Sequence, residues 1–377
     1  MQSKATSDFF DALREWSGWK HEVLRKYLYK FVPILGSRHP TVYFVDGFAG
    51  RGMYGDNPPV PGSPLVAAQY AAEIASAGTR PFRLKCVNVE ARADYFADLC
   101  QATAEYVPAI ALNLRGTFQQ RLDDVLQIVG SAPTLFFLDP FGYKGIEWSV
   151  MRRLAGRSST SKTELIINFN ANEIDQAAGW LDSHDQPLAP AFIANLDNLM
   201  PTSDWRSIVL AGHPKSIREE LLTDLYSRQL EQEFGWTVRR YLIQTIDGRG
   251  KYFLLHVAQN TRGTREMSEV VNRVHSTYLT AKEQANTTGL KQTSLFDVPA
   301  DVARSRLIVD LAEDIYAMFH GGFPVSFGTV QNQMALKWFG QAVGKDYREA
   351  CKRLVKEGRI DRDRPEGITD KTVLVFR

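Results

Sequence analysis

Five short, almost continuously apolar runs alternate with stretches of helical periodicity in the first half of the chain, and this alternation constrains the fold more than any other feature. The runs are TVYFVDGFAG from Thr41, RLKCVNVE ending at Glu90, AIALNLRGTF, TLFFLDPFGYKG and ELIINFNANE. A strand that is apolar along its whole length is covered on both faces, as in a parallel sheet. The intervening segments PGSPLVAAQYAAEIASAG, ARADYFADLCQATAEYV and QQRLDDVLQIV carry helical periodicity. The pattern therefore predicts a doubly wound α/β domain. In the first of these helices Ser63 reads as the N-cap and Pro64 as N1, with a stop near Gly78. Ahead of the first strand, Phe9 to Val32 reads as a helix ended by Pro33, with Trp16, Trp19, Val23, Leu24, Tyr27 and Leu28 on one face.

From about 175 to 237 the rhythm gives way to a mostly helical insertion, with a Pro-containing stretch near 187–190 and the helical SIREELLTDLYSRQLEQEF. TVRRYLIQTID and KYFLLHVAQN then lie at hairpin spacing about a tight GRG turn. A helix over MSEVVNRVHSTYLTAKEQA leads to a polar linker, ANTTGLKQTS. The remainder reads helix, helix, helix, hairpin. A chain of 377 residues exceeds the size of a single core. The expected division is 1–285, a linker at 286–301, and a second domain at 302–377.

The 45 basic and 43 acidic residues nearly cancel, so any polyanion surface must be local. Cys86, Cys100 and Cys351 lack metal-ligand spacing, as do His213, His256 and His275, so neither a metal nor a disulfide framework is expected. Asp8 and Asp11 do not suit a secretory signal, and no apolar run reaches the length of a membrane span. The expectation is a soluble cytoplasmic protein.

The chemistry-bearing residues cluster where the predicted strands end. The first strand delivers Asp46, then Phe48 and a loop with Gly47, Gly50 and Gly52. Ligands of open α/β sheets bind beyond the carboxyl ends of the strands, where glycine lets backbone approach closely. An ordinary turn with glycine at positive φ is the alternative. Glu90, ending the second strand, is placed to accept both hydroxyls of a ribose, or is a solvated acid. Thr117 and Phe118 follow the third strand and could flank an adenine, although Phe118 reads equally as core. The fourth strand exits into Asp139, Pro140, Phe141 and Tyr143. A carboxylate, a prolyl carbonyl and an aromatic ring could hold an exocyclic amine and stack on its base. Otherwise Asp139 caps a turn. Lys20 and His21, and Asn168 and Asn170, are weaker candidates for the same region.

In this order, DGFAGRG, Glu90 and DPFGYKG resemble class I S-adenosylmethionine-dependent methyltransferases, and DPFG is similar to the Asp-Pro-Pro-aromatic signature of those that methylate amines in DNA or RNA. KHEVLRKYL, VDGFAGRGMYGD, GSPLVAA, LDPFGYKG and NTRGTREM together resemble the three-Cys-motif partner proteins over roughly residues 15 to 280. The resemblance implies a Rossmann-like class I methyltransferase sheet whose last two strands are antiparallel, with a C-terminal winged-helix domain. It implies S-adenosylmethionine bound by Asp46, Phe48, Gly50, Gly52, Glu90, Thr117 and Phe118, and catalysis at Asp139, Pro140, Phe141 and Tyr143. It also implies a separately encoded, radical S-adenosylmethionine-like partner bearing the three cysteines. Phe141 departs from the signature, where a second proline is usual.

Lys345, Arg348, Lys352, Arg353 and Lys356 recur at helical intervals, as in a recognition helix entering a groove or on the solvated face of a protein-binding module. Methyl transfer to a nucleobase amine in DNA or RNA is thus the leading expectation. The rivals are a non-catalytic scaffold for the partner and a small-molecule methyltransferase.

Overall fold

The computed structural model describes residues 4–55, 59–157, 161–178, 181, 189–244, 250–286, 300–364 and 366–377. Residues 248–249 of the expected GRG turn, the stretch at 187–188 and most of the expected linker lie outside them. The chain divides into two compact units, Met1–Asn260 and Thr261–Arg377.

The first unit is built on a seven-stranded sheet: β1 (Thr41–Asp46), β2 (Arg83–Glu90), β3 (Ala111–Arg115), β4 (Thr134–Leu138), β5 (Thr163–Phe169), β6 (Thr237–Gln244) and β7 (Gly250–Ala258). Their spatial order is β3-β2-β1-β4-β5-β7-β6. The pairs β1–β2, β1–β4, β2–β3 and β4–β5 are parallel, while β7 runs antiparallel to both β5 and β6. The continuous apolar runs are explained by coverage on both faces: every residue of β4 is buried. The chain steps outward from β1 through β2 to β3, then returns to place β4 on the other side of β1. That reversal leaves a crevice at the carboxyl ends of β1 and β4, where an open α/β sheet takes its ligand.

Helix α1 (Lys4–Gly36) packs Trp19, Val23, Leu24, Tyr27, Leu28, Phe31 and Val32 into the core. Pro33 does not end it, contrary to expectation. It sits one turn from the C-terminus, and its carbonyl still accepts from the Ser37 amide at 3.1 Å. Helix α2 (Ser63–Ala77) is capped by Gly62 rather than Ser63 and stops at Gly78, whose φ of 61° closes the helix in the left-handed region. Then come α3 (Ala93–Ala102), α4 (Phe118–Val129) and α5 (Trp148–Ala155), and the expected insertion is α6 (Ala171–Ala178), α7 (Ala189–Leu199), α8 (Asp204–Leu210) and α9 (Lys215–Phe234).

The second unit opens with α10 (Thr261–Asn286), so the boundary falls at residue 260 rather than 285. Met267, Val270, Val271 and Val274 are buried on one face of this helix. Ser268 Oγ accepts from the Gly340 amide at 3.0 Å and Asn272 donates to the Gly340 carbonyl at 3.1 Å, which ties the helix to this unit. There follow α11 (Ala300–Phe319), β8 (Val325–Ser326), α12 (Phe327–Lys337), α13 (Gly344–Lys356), β9 (Ile360–Arg362) and β10 (Val373–Phe376). The three strands form an antiparallel sheet in the order β8-β10-β9.

Candidate functional site

The loop after β1 is held open by Glu90. Its carboxylate accepts the Gly50 amide at 2.9 Å through Oε2 and the Arg92 amide at 2.7 Å through Oε1. Gly50 and Gly52 have φ of 62° and 80°, a conformation that side-chain-bearing residues seldom adopt. The acid at the end of β2 thus fixes the glycine loop at the end of β1, and the two expected cofactor motifs form one structure. Tyr54 closes over it. A Cβ at Gly50 would come within 2.7 Å of the Tyr54 hydroxyl, and one at Gly62 within 2.6 Å of its ring.

Asp46 lies beneath this loop with no exposed surface. Its Oδ1 accepts the Phe48 amide at 3.0 Å, whereas its Oδ2 has no donor among the described residues. Burial pushes the carboxyl up to about 7, so it titrates near neutrality. The Phe48 ring packs against Phe118 at 6.1 Å, and a methyl group on Gly145 would overlap it. Phe48 thereby locks the glycine loop against the loop after β4.

That second loop carries Asp139, which is gripped from two sides. Its Oδ2 pairs with Lys20 Nζ at 2.6 Å, and its Oδ1 accepts Asn168 Nδ2 at 2.6 Å. Lys20 comes from α1 and lies 5.6 Å from the centroid of the Tyr252 ring of β7; Asn168 comes from β5. Asn168 Oδ1 is buried with no partner among the described residues. Phe141 is fully exposed at the tip of the loop, beyond buried Pro140. Beside it, Glu173 of α6 accepts Asn170 Nδ2 at 2.9 Å, and a Cβ on Gly142 would lie 2.6 Å from its Oε2.

Tyr54 records how closely the two loops approach. Its phenol is pushed well up by burial and then by the charges of Asp46, Asp139 and Glu90. The charges at the ends of β1, β2 and β4 thus act on the same phenol. His21, next to Lys20, stacks on Tyr54 with centroids 5.9 Å apart and planes 27° apart. Burial, reinforced by Lys20, lowers it to about 4.

Three expected residues hold other positions. Phe118 is a core side chain against Phe48 and Phe136, not a wall beside an adenine. Thr117 caps α4, its hydroxyl accepting the Gln120 amide while Gln120 returns a bond to the Thr117 amide. Tyr143 is buried in the core cluster rather than exposed beside Phe141. Conversely, sequence reasoning did not single out Tyr54, although it lies within the quoted VDGFAGRGMYGD segment, nor Glu173 and Tyr252, which no motif marks.

On α13, Lys345, Lys352, Arg353 and Lys356 are exposed. Lys352 pairs with Glu349 and Arg353 with Glu357, which dilutes the positive face. Arg348 is committed elsewhere: its Nε donates to the Ile368 carbonyl at 2.9 Å, tying the β9–β10 connection to the helix.

No protein-family model and no curated protein matches the sequence. Solved structures do align with it. Protein LPL1258 of Legionella pneumophila shares 12% identity over 70% of this chain and 92% of its own, with a TM-score of 0.41. The O-methyltransferase TomG of Streptomyces achromogenes, crystallised with S-adenosylmethionine, shares 13% over 69% and 92%, with a TM-score of 0.35. An rRNA methylase of Streptococcus thermophilus shares 10% over 62% and 96%, with a TM-score of 0.27. Similarity at this level leaves the functional argument to the strand order and the side chains.

Proposed function

We propose that the chain is an S-adenosylmethionine-dependent methyltransferase that acts on an exocyclic amine of a nucleobase. The observation that carries this reading is the contact, through Phe48 and Gly145, of the Glu90-fixed glycine loop with the loop after β4 that carries Asp139. The antiparallel pair at the sheet edge is the ending expected of a methyltransferase-like sheet.

The residues present suit the cofactor. Glu90, at the end of β2 beside the Gly50–Gly52 backbone, presents a fixed acceptor for ribose hydroxyls. When bound, S-adenosylmethionine supplies an electrophilic methyl group on a sulfonium. The protein's part is mainly to fix geometry, because such a displacement gains most from in-line positioning. Asp139 orients the amine by accepting its N–H, while Lys20 and Asn168 set the carboxylate's direction. Phe141 offers a free ring on which the base stacks. A target taken up in this way must be unpaired or flipped out of a duplex.

After α10, the helix, strand, helix, helix, strand, strand order of the second unit supports a winged-helix reading. In it Lys345, Lys352, Arg353 and Lys356 steer nucleic acid, and Arg348 braces the wing. A separately encoded three-cysteine, radical S-adenosylmethionine-like protein completes the proposed system in the cytoplasm. One observation favours a second reading, a non-catalytic scaffold for that partner: both Asp139 oxygens are already engaged.

Calorimetry tests the shared premise of both readings. The protein should bind S-adenosylhomocysteine and Gly50→Val should abolish binding, because valine cannot adopt that φ and its side chain meets Tyr54. Tight binding of NAD instead would contradict the assignment.

A further inference from the structure

Two asparagines at the end of β5 each hold a carboxylate. Asn168 Nδ2 donates to Asp139 Oδ1 at 2.6 Å, and Asn170 Nδ2 donates to Glu173 Oε1 at 2.9 Å. Residues two apart on an extended chain share a face and lie about 6 to 7 Å apart. The two acids are thus anchored at neighbouring points of one strand end. The Glu173 amide donates to Asn170 Oδ1 at 3.2 Å, which turns the Asn170 NH2 toward Glu173 Oε1. Gly142 of the Asp139 loop, at φ of 91°, lies against the other oxygen, since a Cβ there would fall 2.6 Å from Oε2.

The two oxygens of Glu173 therefore have different surroundings. Oε1 belongs to the cap of α6. Oε2 lies against Gly142, next in sequence to the fully exposed Phe141 ring, and no donor among the described residues reaches it. Glu173 is only partly buried, so a ligand can approach it from solvent. Capping accounts for Oε1 and leaves Oε2, a strong acceptor, without a task.

We infer that Glu173 is a specificity-determining residue that selects guanine, its Oε2 accepting the ring N1–H while Asp139 accepts from the adjoining N2 amine. The inference rests on the methyl-transfer reading of the Asp139 loop. Among the common bases only guanine carries a ring N–H beside an exocyclic amine. Adenine and cytosine present a bare ring nitrogen there, whose lone pair would face the carboxylate, and uracil and thymine have no amine. Acceptors for the guanine N1–H and for its outer N2–H stand about 6 to 7 Å apart when each N–H···O is about 2.9 Å, the same scale as the spacing of the two asparagines. A site built to accept an N–H rejects analogues that lack it more strongly than an apolar pocket rejects a misfit.

The test uses the full-length protein and single-turnover transfer from tritium-labelled S-adenosylmethionine. The acceptors are randomised pools of single-stranded DNA and RNA, with the labelled nucleoside identified after digestion. Parallel pools carry 2-aminopurine in place of guanine, which keeps the N2 amine but has a bare ring N1. Wild type should label guanine, and should label 2-aminopurine about 10²-fold more slowly. In Glu173→Gln the Asn170 NH2 keeps the glutamine oxygen toward itself, so the cap survives and an NH2 replaces Oε2. That donor suits a bare N1, so the variant should slow on guanine, quicken on 2-aminopurine and reverse the preference. A purely capping Glu173 predicts an unchanged ratio, which would overturn the assignment, as would label on adenine or cytosine in preference to guanine. Either result leaves methyl transfer standing. A wild-type protein that labels no base in any pool defeats the methyl-transfer reading, and the role of Glu173 falls with it.

Discussion

The same helix and the same strand build two polar clusters at opposite ends of the sheet, and the contrast between them separates site from scaffold. At the amino-terminal end of β5, Glu164 accepts the Tyr27 hydroxyl of α1, and His256 Nε2 of β7 lies 3.1 Å from that hydroxyl and 3.3 Å from the carboxylate. His256 has no exposed surface. At the carboxyl end, Asn168 of β5 and Lys20 of α1 hold Asp139, whose side chain keeps 22% of its surface exposed. Both clusters fasten α1 across the sheet. Of the two, the second has an exposed acid, a glycine loop beside it, and acids at the ends of β1, β2 and β4. A buried polar cluster alone therefore does not mark a site, whereas one at the β1–β4 reversal does.

The comparison is sharpened first by Asp46, where the largest stability effect is expected. Its folded value of about 7 exceeds the 3.8 of the free carboxyl, so the charged form costs stability. The cost is absent below about pH 4, grows through the window up to 7, and is constant above it. Asp46→Asn should therefore stabilise the ligand-free protein at pH 8 by a few kcal/mol at most, with the gain vanishing on acidification. Denaturant titrations at a series of pH values check this. A variant less stable at every pH would place the carboxylate in the scaffold instead.

Next is Phe141→Ala, which should weaken oligonucleotide binding by about 1 to 3 kcal/mol and leave the melting temperature in place, since the ring is fully exposed. Fluorescence anisotropy against single-stranded oligonucleotides reads the first effect and a thermal melt the second. Smallest is Tyr27→Phe, which deprives Glu164 and His256 of a partner and should cost about 1 kcal/mol of stability without altering S-adenosylhomocysteine binding. Lost cofactor affinity there would dissolve the distinction between the two ends.

The five parallel strands were legible because double coverage leaves continuous apolar runs, and the glycine loop with Glu90 was legible because strand ends carry ligand chemistry in such sheets. The Lys20–Asp139 pair was not, since 119 residues separate its members and a helical lysine looks like any solvated one. Phe118 was ambiguous for a physical reason: an aromatic just past a strand end serves core and ligand equally well, and here the capping box of α4 turns it inward. Pro33 misled because a proline kinks a helix as readily as it ends one, and here the helix runs on for one turn with the Ser37 amide still reaching the Pro33 carbonyl. Helix α10 misled because an amphipathic helix does not declare which core its apolar face will join.

The most direct test of the central claim is single-turnover transfer from tritium-labelled S-adenosylmethionine to single-stranded oligonucleotides by wild type and Asp139→Asn. Asparagine keeps the volume but replaces one acceptor oxygen with a donor and removes the charge that holds Lys20. Cofactor affinity should survive while the rate falls by about 10²-fold or more, as when an oriented transition-state contact is lost. Equal rates for the two proteins would show that Asp139 only caps a turn and that the chemistry lies away from the β1–β4 crevice.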